Sequence, residues 1–316
     1  MGFKCGIVGL PNVGKSSLFN ALTDSTIAAE NYPFCTIEPN SGIVPVPDPR
    51  LEKLSVIADS VEVIPTTVEF TDIAGLVRGA SEGQGLGNKF LAHIREMEAI
   101  LHVVRCFDDD NVTHVAGRVD PLGDVNVVET ELALADIETC TRALEKAARN
   151  AKSGDKNNAN IVRILENIIS ALDKGDMLRT LTFDESTKNL MRELGLITPK
   201  PVLFVANVGE EKELSDSYCQ SLSDYAQSSN AEFLTVCASL EAEIVRLLPG
   251  ERQEYLLELG LAEPSLNRLV RAGFGLLDLH SFFTAGPKET RAWTIPVGTS
   301  APAAAGRIHG DFERGF

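Results

Sequence analysis

Cysteine is sparse and unpaired in this 316-residue sequence: Cys5, Cys35, Cys106, Cys140, Cys219 and Cys237 form no CxxC pair and lie at no zinc spacing to a histidine. A disulfide framework and a structural zinc site are therefore not expected; the thiols read as reduced, and three of them, in apolar, strand-like contexts, as small buried side chains. Positive charge is short as well, with 29 basic against 45 acidic residues and a formal net charge of −16. Such a chain is not built to coat nucleic acid non-specifically, so no DNA partner is expected, although a local basic face on one domain stays open. No run of about 18 apolar residues offers a membrane span. The opening MGFKCGIVGL runs straight into a motif, where a signal peptide would carry a longer apolar stretch. A cytoplasmic monomer without a membrane partner is the expectation. Hydrophobic residues make up 44% of the chain, enough to bury a core in about two domains.

Short apolar runs bounded by glycine or charge mark buried strands at 3–9 (FKCGIVG), 100–107 (ILHVVRCF), 201–207 (PVLFVAN) and 233–238 (FLTVCA). Segments 41–46 and 65–72 read as a paired strand and its neighbour, and helical patterns fall at 15–23, 87–98 and 215–228. Alternating strand and helix predicts a doubly wound α/β sheet. Between about 125 and 198 no strand candidate occurs. There Val128, Leu132, Leu134, Ala135, Ile137, Leu144 and Ala148 recur at helical spacing, the polar KSGDKNN follows, and IVRILENIISAL at 161–172 is helical again. This predicts an antiparallel hairpin inserted into the sheet domain; two ordinary surface helices of that domain are the competing reading. After 277 the text becomes strand, turn, strand, loop and short helix, the opening of a small β-rich module that is incomplete within these residues. The expected division is 1–124 with 199–277 for the sheet domain, 125–198 for the hairpin and 278–316 for the partial module.

Gly9-Leu10-Pro11-Asn12-Val13-Gly14-Lys15-Ser16 fits GxxxxGK followed by Ser or Thr, after a strand and before a helix. Its glycines let successive N–H groups turn toward phosphate oxygens, with the backbone through Ser17 completing the cradle. Lys15 brings a charge to the β/γ oxygens, and the Ser16 hydroxyl is placed for Mg²⁺. Asp72-Ile73-Ala74-Gly75 follows an apolar strand as DxxG, whose Asp serves Mg²⁺. The glycine-rich 78–88 suits a segment ordered by triphosphate, or a plain surface loop. Thr36 lies between the two motifs, where a threonine completes the Mg²⁺ shell.

A guanine-reading NKxD is absent. In its place stands Asn207-Val208-Gly209-Glu210, with Ser239 in the loop after the next strand. Val208 replaces the lysine whose stem covers the base, and Glu210 is one methylene longer than the aspartate that pairs with guanine. A mismatched buried polar group costs about 1–3 kcal/mol, which turns the expectation from GTP toward ATP, with Asn207 and the Val208 backbone reading the purine.

Together these motifs, with NYPFCTIEPN, DIAGLVRGASEGQGLGN and FFTAGPKETRAWTI, resemble the YchF/Obg-like ATPase family along essentially the whole chain. The resemblance implies a Ras-like P-loop domain, an inserted helical hairpin and a C-terminal TGS domain of β-grasp type that ends here short of the family's extent. It implies ATP hydrolysis, Mg²⁺ as cofactor, and the ribosome or ribosomal RNA as partner. Leu76 stands where Ras-like enzymes place a water-orienting glutamine, and the resemblance implies that His114 substitutes. Read from the residues alone, His114 is a solvated loop histidine near three aspartates, and His93 and His102 are packing residues. The resemblance also ties Asn12 to K⁺ stimulation; a plain loop hydrogen bond is the alternative. Lys146, Arg149, Lys152, Lys156, Arg268 and Arg271 are a candidate contact surface or an ordinary solvated face.

Overall fold

The computed structural model describes residues 3–24, 40–73, 86–109, 112–114, 117–151, 155–209 and 212–316. The chain opens with β1 (Phe3–Val8) and α1 (Lys15–Asp24), then β2 (Ser41–Pro45), α2 (Pro49–Ala58), β3 (Glu62–Ile64) and β4 (Thr67–Asp72). Next come α3 (Leu86–Glu96), β5 (Ala99–Cys106) and the long pair α4 (Pro121–Ala151) and α5 (Lys156–Asp173). A 3-10 turn at Leu178–Thr180 and α6 (Glu185–Glu193) lead to β6 (Val202–Val208), α7 (Lys212–Ser228) and β7 (Glu232–Val236). The remainder is α8 (Ala238–Arg246), α9 (Pro249–Glu258), α10 (Ser265–Gly275), β8 (Leu279–Ala285), β9 (Glu289–Pro296), α11 (Ala301–Ile308) and α12 (Gly310–Arg314).

The described strands form two sheets, one in the order β2-β4-β1-β5-β6-β7 and one in the order β3-β9-β8. β5, β6 and β7 are parallel, with Ile100 opposite Val202 and Leu203 opposite Glu232. All of β5 is buried, as expected of a parallel strand covered on both faces. β2 runs antiparallel to β4 with Ser41 opposite Thr71. The fold is α/β with a P-loop GTPase-like sheet. Among the described residues no helix is long and apolar enough to cross a membrane.

The chain packs as two compact units. One comprises Gly6–Lys15 and Asp72–Cys237 and contains the long helices. Pro121 starts α4, a position where its missing N–H costs nothing, four residues ahead of the expected start. Asp155 caps α5 by accepting from the Asn157 amide at 2.8 Å. Cys140, Leu165, Ile168 and Leu172 make the seam between α4 and α5, continued by Met177, Leu178, Met191 and Leu196. Leu134, counted above with the apolar stripe, is instead 44% exposed. It borders a cavity of about 390 Å³ with Thr130, Leu172 and Tyr225, so the stripe is broken there.

The other unit comprises Met1–Cys5, Ser16–Thr71 and Ala238–Phe316. Here β8 and β9 form the expected hairpin, Phe282 opposite Trp293. Its outer partner was not expected: β3, only three residues long, runs parallel to β9 with Glu62 opposite Glu289.

Candidate functional site

β1 delivers the chain into a loop whose backbone only glycine tolerates at two points. Gly9 has φ 150°, and a Cβ there would lie 2.4 Å from the Val103 carbonyl of β5. Gly14 has φ 95°, and a Cβ would lie 2.2 Å from the Asn207 side-chain nitrogen. A side chain at either position would push the loop off the sheet. Asn12 takes the left-handed region, φ 62°, which asparagine tolerates better than most residues. Its Nδ2 donates to the Thr113 carbonyl at 3.1 Å, the loop hydrogen bond weighed above.

Lys15 is 7% exposed and donates from Nζ to the Leu10 carbonyl at 2.7 Å. Burial lowers its pKa to about 8, and the Asp72 carboxylate pulls it back up only in part. A buried ammonium turned onto a carbonyl of its own loop suits an arriving polyanion. Val13 is buried, while Ser16 and Ser17 are exposed in the first turn of α1, where the positive end of the helix dipole also suits phosphate. Asp72 is half-buried at the end of β4. One carboxylate and one hydroxyl are the hard oxygen donors that Mg²⁺ takes when phosphates supply the rest.

Asn207 ends the buried run of β6, and its Nδ2 donates to the Val13 carbonyl at 2.9 Å. That bond makes Asn207 a strut between the end of β6 and the P-loop. The expectation that it reads the purine must accommodate this engagement. Val208 is half-buried beside it, and Ser239 is exposed in the first turn of α8. Thr36, Leu76, Glu210 and Lys152 lie outside the described residues.

His114 departs from the solvated reading. It is 8% exposed, with Nε2 2.9 Å from Oδ2 of Asp124, itself buried in the first turn of α4. Arg105 shapes the approach, donating to the carbonyls of Phe107 at 3.0 Å and Val112 at 2.8 Å. Asp124 and Arg105 were not singled out from sequence; an acid ten residues past a loop histidine, at a helix start, is the only local signal. His102 is a packing residue as expected, buried against Phe204 with ring centroids 5.4 Å apart and its pKa lowered to about 3 by burial. His93 corrects its expectation, being exposed on α3. Arg271 is held by two hydrogen bonds to the Glu263 carboxylate, so of the candidate contact surface it is a paired group.

Strand, glycine-bounded loop, buried lysine, helix and terminal strand aspartate define a P-loop protein of the GTPase-like class. A family described as 50S ribosome-binding GTPase matches residues 4–135, and the YchF-GTPase C-terminal family, described as a protein of unknown function, matches residues 279–316. Over 316 residues the chain is 54% identical to a protein of Escherichia coli O157:H7 named ribosome-binding ATPase YchF, covering 100% of this chain and 87% of that one. A protein of the same name from Bacillus subtilis (strain 168) is 49% identical over 319 residues, with the same coverage. The solved Schizosaccharomyces pombe YchF GTPase is similar at TM-score 0.87 and 34% identity, covering 100% of this chain and 86% of that one. The chain belongs to the YchF family.

Proposed function

We propose that this chain binds ATP with Mg²⁺, hydrolyses it, takes ATP in preference to GTP, and acts as a nucleotide-driven switch on the ribosome. The observation that carries the reading is the buried Lys15, its ammonium turned onto the Leu10 carbonyl inside a glycine-bounded loop. Lys15 would sit on the β/γ oxygens while backbone N–H groups from Asn12 to Ser17 cradle the phosphates. Ser16, Thr36 and Asp72 would hold Mg²⁺, which, when bound, neutralises charge on the phosphates. A K⁺ ion at Asn12 would be held by the carboxamide oxygen while Nδ2 keeps its bond to Thr113. His114 orients the attacking water, in the place Leu76 cannot fill. The domain reading joins 1–124 and 199–277 as the nucleotide domain, 125–198 as the inserted hairpin and 278–316 as part of a TGS domain. The ribosome enters through the names of the relatives, and those names also support ATP.

A GTPase with relaxed base choice is the second reading, favoured by the wording "GTPase" for both the N-terminal family and the fission-yeast structure. Calorimetry with ATP, GTP and their diphosphates, paired with phosphate release, separates the readings. ATP should bind at least about tenfold tighter than GTP, a difference of about 1.4 kcal/mol. Equal affinities would remove the adenine assignment, and tight ATP binding without turnover would leave a binding-only scaffold.

A further inference from the structure

The structure assigns Asp124, the fourth residue of α4, as the positioning residue of His114: its carboxylate selects the imidazole tautomer and holds the ring between the P-loop and the base of the hairpin. The assignment rests on the reading of His114 as the group that orients water. His114 and Asp124 side chains are 5% and 7% exposed, and the Nε2 to Oδ2 distance is 2.9 Å. On the other side, Asn12 Nδ2 reaches the carbonyl of Thr113, the neighbour of His114. Arg105 pins the preceding loop through the carbonyls of Phe107, Asp109 and Val112. The histidine is thus tied both to the loop expected to cradle phosphate and to a helix that runs on for 31 residues.

Asp124 is itself held by the helix. The Asp124 amide donates to the Asp120 carbonyl at 2.8 Å in the first helical turn, where the helix dipole favours an anion. Burial raises the Asp124 carboxyl, and the hydrogen bond and charge of His114 draw it back down. With Asp124 ionised, Oδ2 is an acceptor only, so Nε2 carries the hydrogen of this bond, and in the neutral form of the ring the lone pair falls on Nδ1. A neutral imidazole with its lone pair on one defined nitrogen can accept from water without reorganising. Where an enzyme relies on such a pair, exchanging the carboxylate for its amide leaves the geometry intact and lowers kcat about 10⁴-fold through the wrong tautomer.

Asp124→Asn is the isosteric test in the full chain, because its side-chain NH₂ can donate to Nε2 and so favour hydrogen on Nδ1. Long-range ¹H–¹⁵N correlation spectra, with the His114 signal assigned by its loss in His114→Gln, report the tautomer directly. The unmodified protein should show Nε2–H, and Asp124→Asn should move to Nδ1–H. Its kcat for ATP should fall at least about tenfold while KM stays within about twofold. A merely structural ion pair would lower the melting temperature without moving kcat apart from KM. Hydrogen on Nδ1 in the unmodified protein overturns the assignment, and that measurement stands even if Asp124→Asn does not fold. So does an Asp124→Asn protein with unchanged tautomer and kcat. If His114→Ala turns over ATP at the original rate, the histidine's role in hydrolysis is lost, while the tautomer still decides whether Asp124 positions the ring.

Discussion

Over its first half α4 buries the four acidic residues Asp124, Glu129, Glu131 and Asp136 beside apolar ones such as Val125, Val128 and Leu132, whereas over its second half it buries Cys140 and Ala147 and no charge. The helix is continuous, yet the two halves are held by different interactions. In the first half, Asp136 is fully buried and accepts from the Ile197 and Thr198 amides at 2.9 and 2.8 Å and from the Thr198 hydroxyl at 2.8 Å. Glu129 accepts from Arg179 and from the Tyr225 hydroxyl, each at 2.5 Å. In the second half, α4 meets α5 through Cys140, Leu165 and Ile168, with charge turned outward. Buried charge demands a partner in one orientation, while apolar packing tolerates small slips. The half next to the candidate site is therefore the half whose register is fixed, which is what a positioning role for Asp124 requires.

Removing a charge from the first half should give the largest effect. Glu129→Ala leaves Arg179 buried beside Phe204 without its carboxylate, and urea unfolding should show a loss of about 3–5 kcal/mol. A loss below about 1 kcal/mol would erase the distinction between the halves. In the second half, Ile168→Ala removes a side chain that is 1% exposed and should cost about 2–4 kcal/mol by the same measurement. Conservative Ile168→Val should recover most of that, whereas no conservative change at Glu129 should.

Lys15 extends the comparison to a buried charge whose partner is meant to arrive with the ligand. Its pKa is lowered, from 10.5 to about 8, so between those values the free protein holds lysine neutral where the unfolded chain holds it charged. The unfolded chain then binds more protons, and linkage requires stability of the free protein to rise with pH across that window. Triphosphate binding should restore the charge and take up a proton, so affinity should fall by up to about tenfold per pH unit over the same window. Calorimetry at pH 9 in two buffers of different ionisation enthalpy reads the uptake, and a buffer-independent heat would rule it out. The smallest effect belongs on the solvated side of the second half. Arg142 and Glu138 lie 3.7 Å apart with both side chains more than half exposed, and Arg142→Ala should move stability by less than about 0.5 kcal/mol.

The sequence by itself determined the parts whose physics is local. A strand ending in Gly9, a GK pair and a helix start can be read within sixteen residues, and the strands at 100–107 and 201–207 announce themselves by being apolar throughout. The same holds for the two long helices, whose spacing is set by one turn of backbone. The tertiary structure alone decided what depends on residues far apart in the chain. Asn207 meets Val13 across 194 positions and Arg179 meets Glu129 across 50, and neither pairing leaves a periodic trace. β3 is three residues long, shorter than any alternation can reveal, and became a strand because β9 offered it an edge. His114 shows the difference most plainly: its loop is polar, which reads as solvated, but Arg105 and Asp124 satisfy that polarity from within. A hydrogen bond between distant side chains is recorded in coordinates and not in composition, so the machinery around the histidine could be found only once the fold had assembled it.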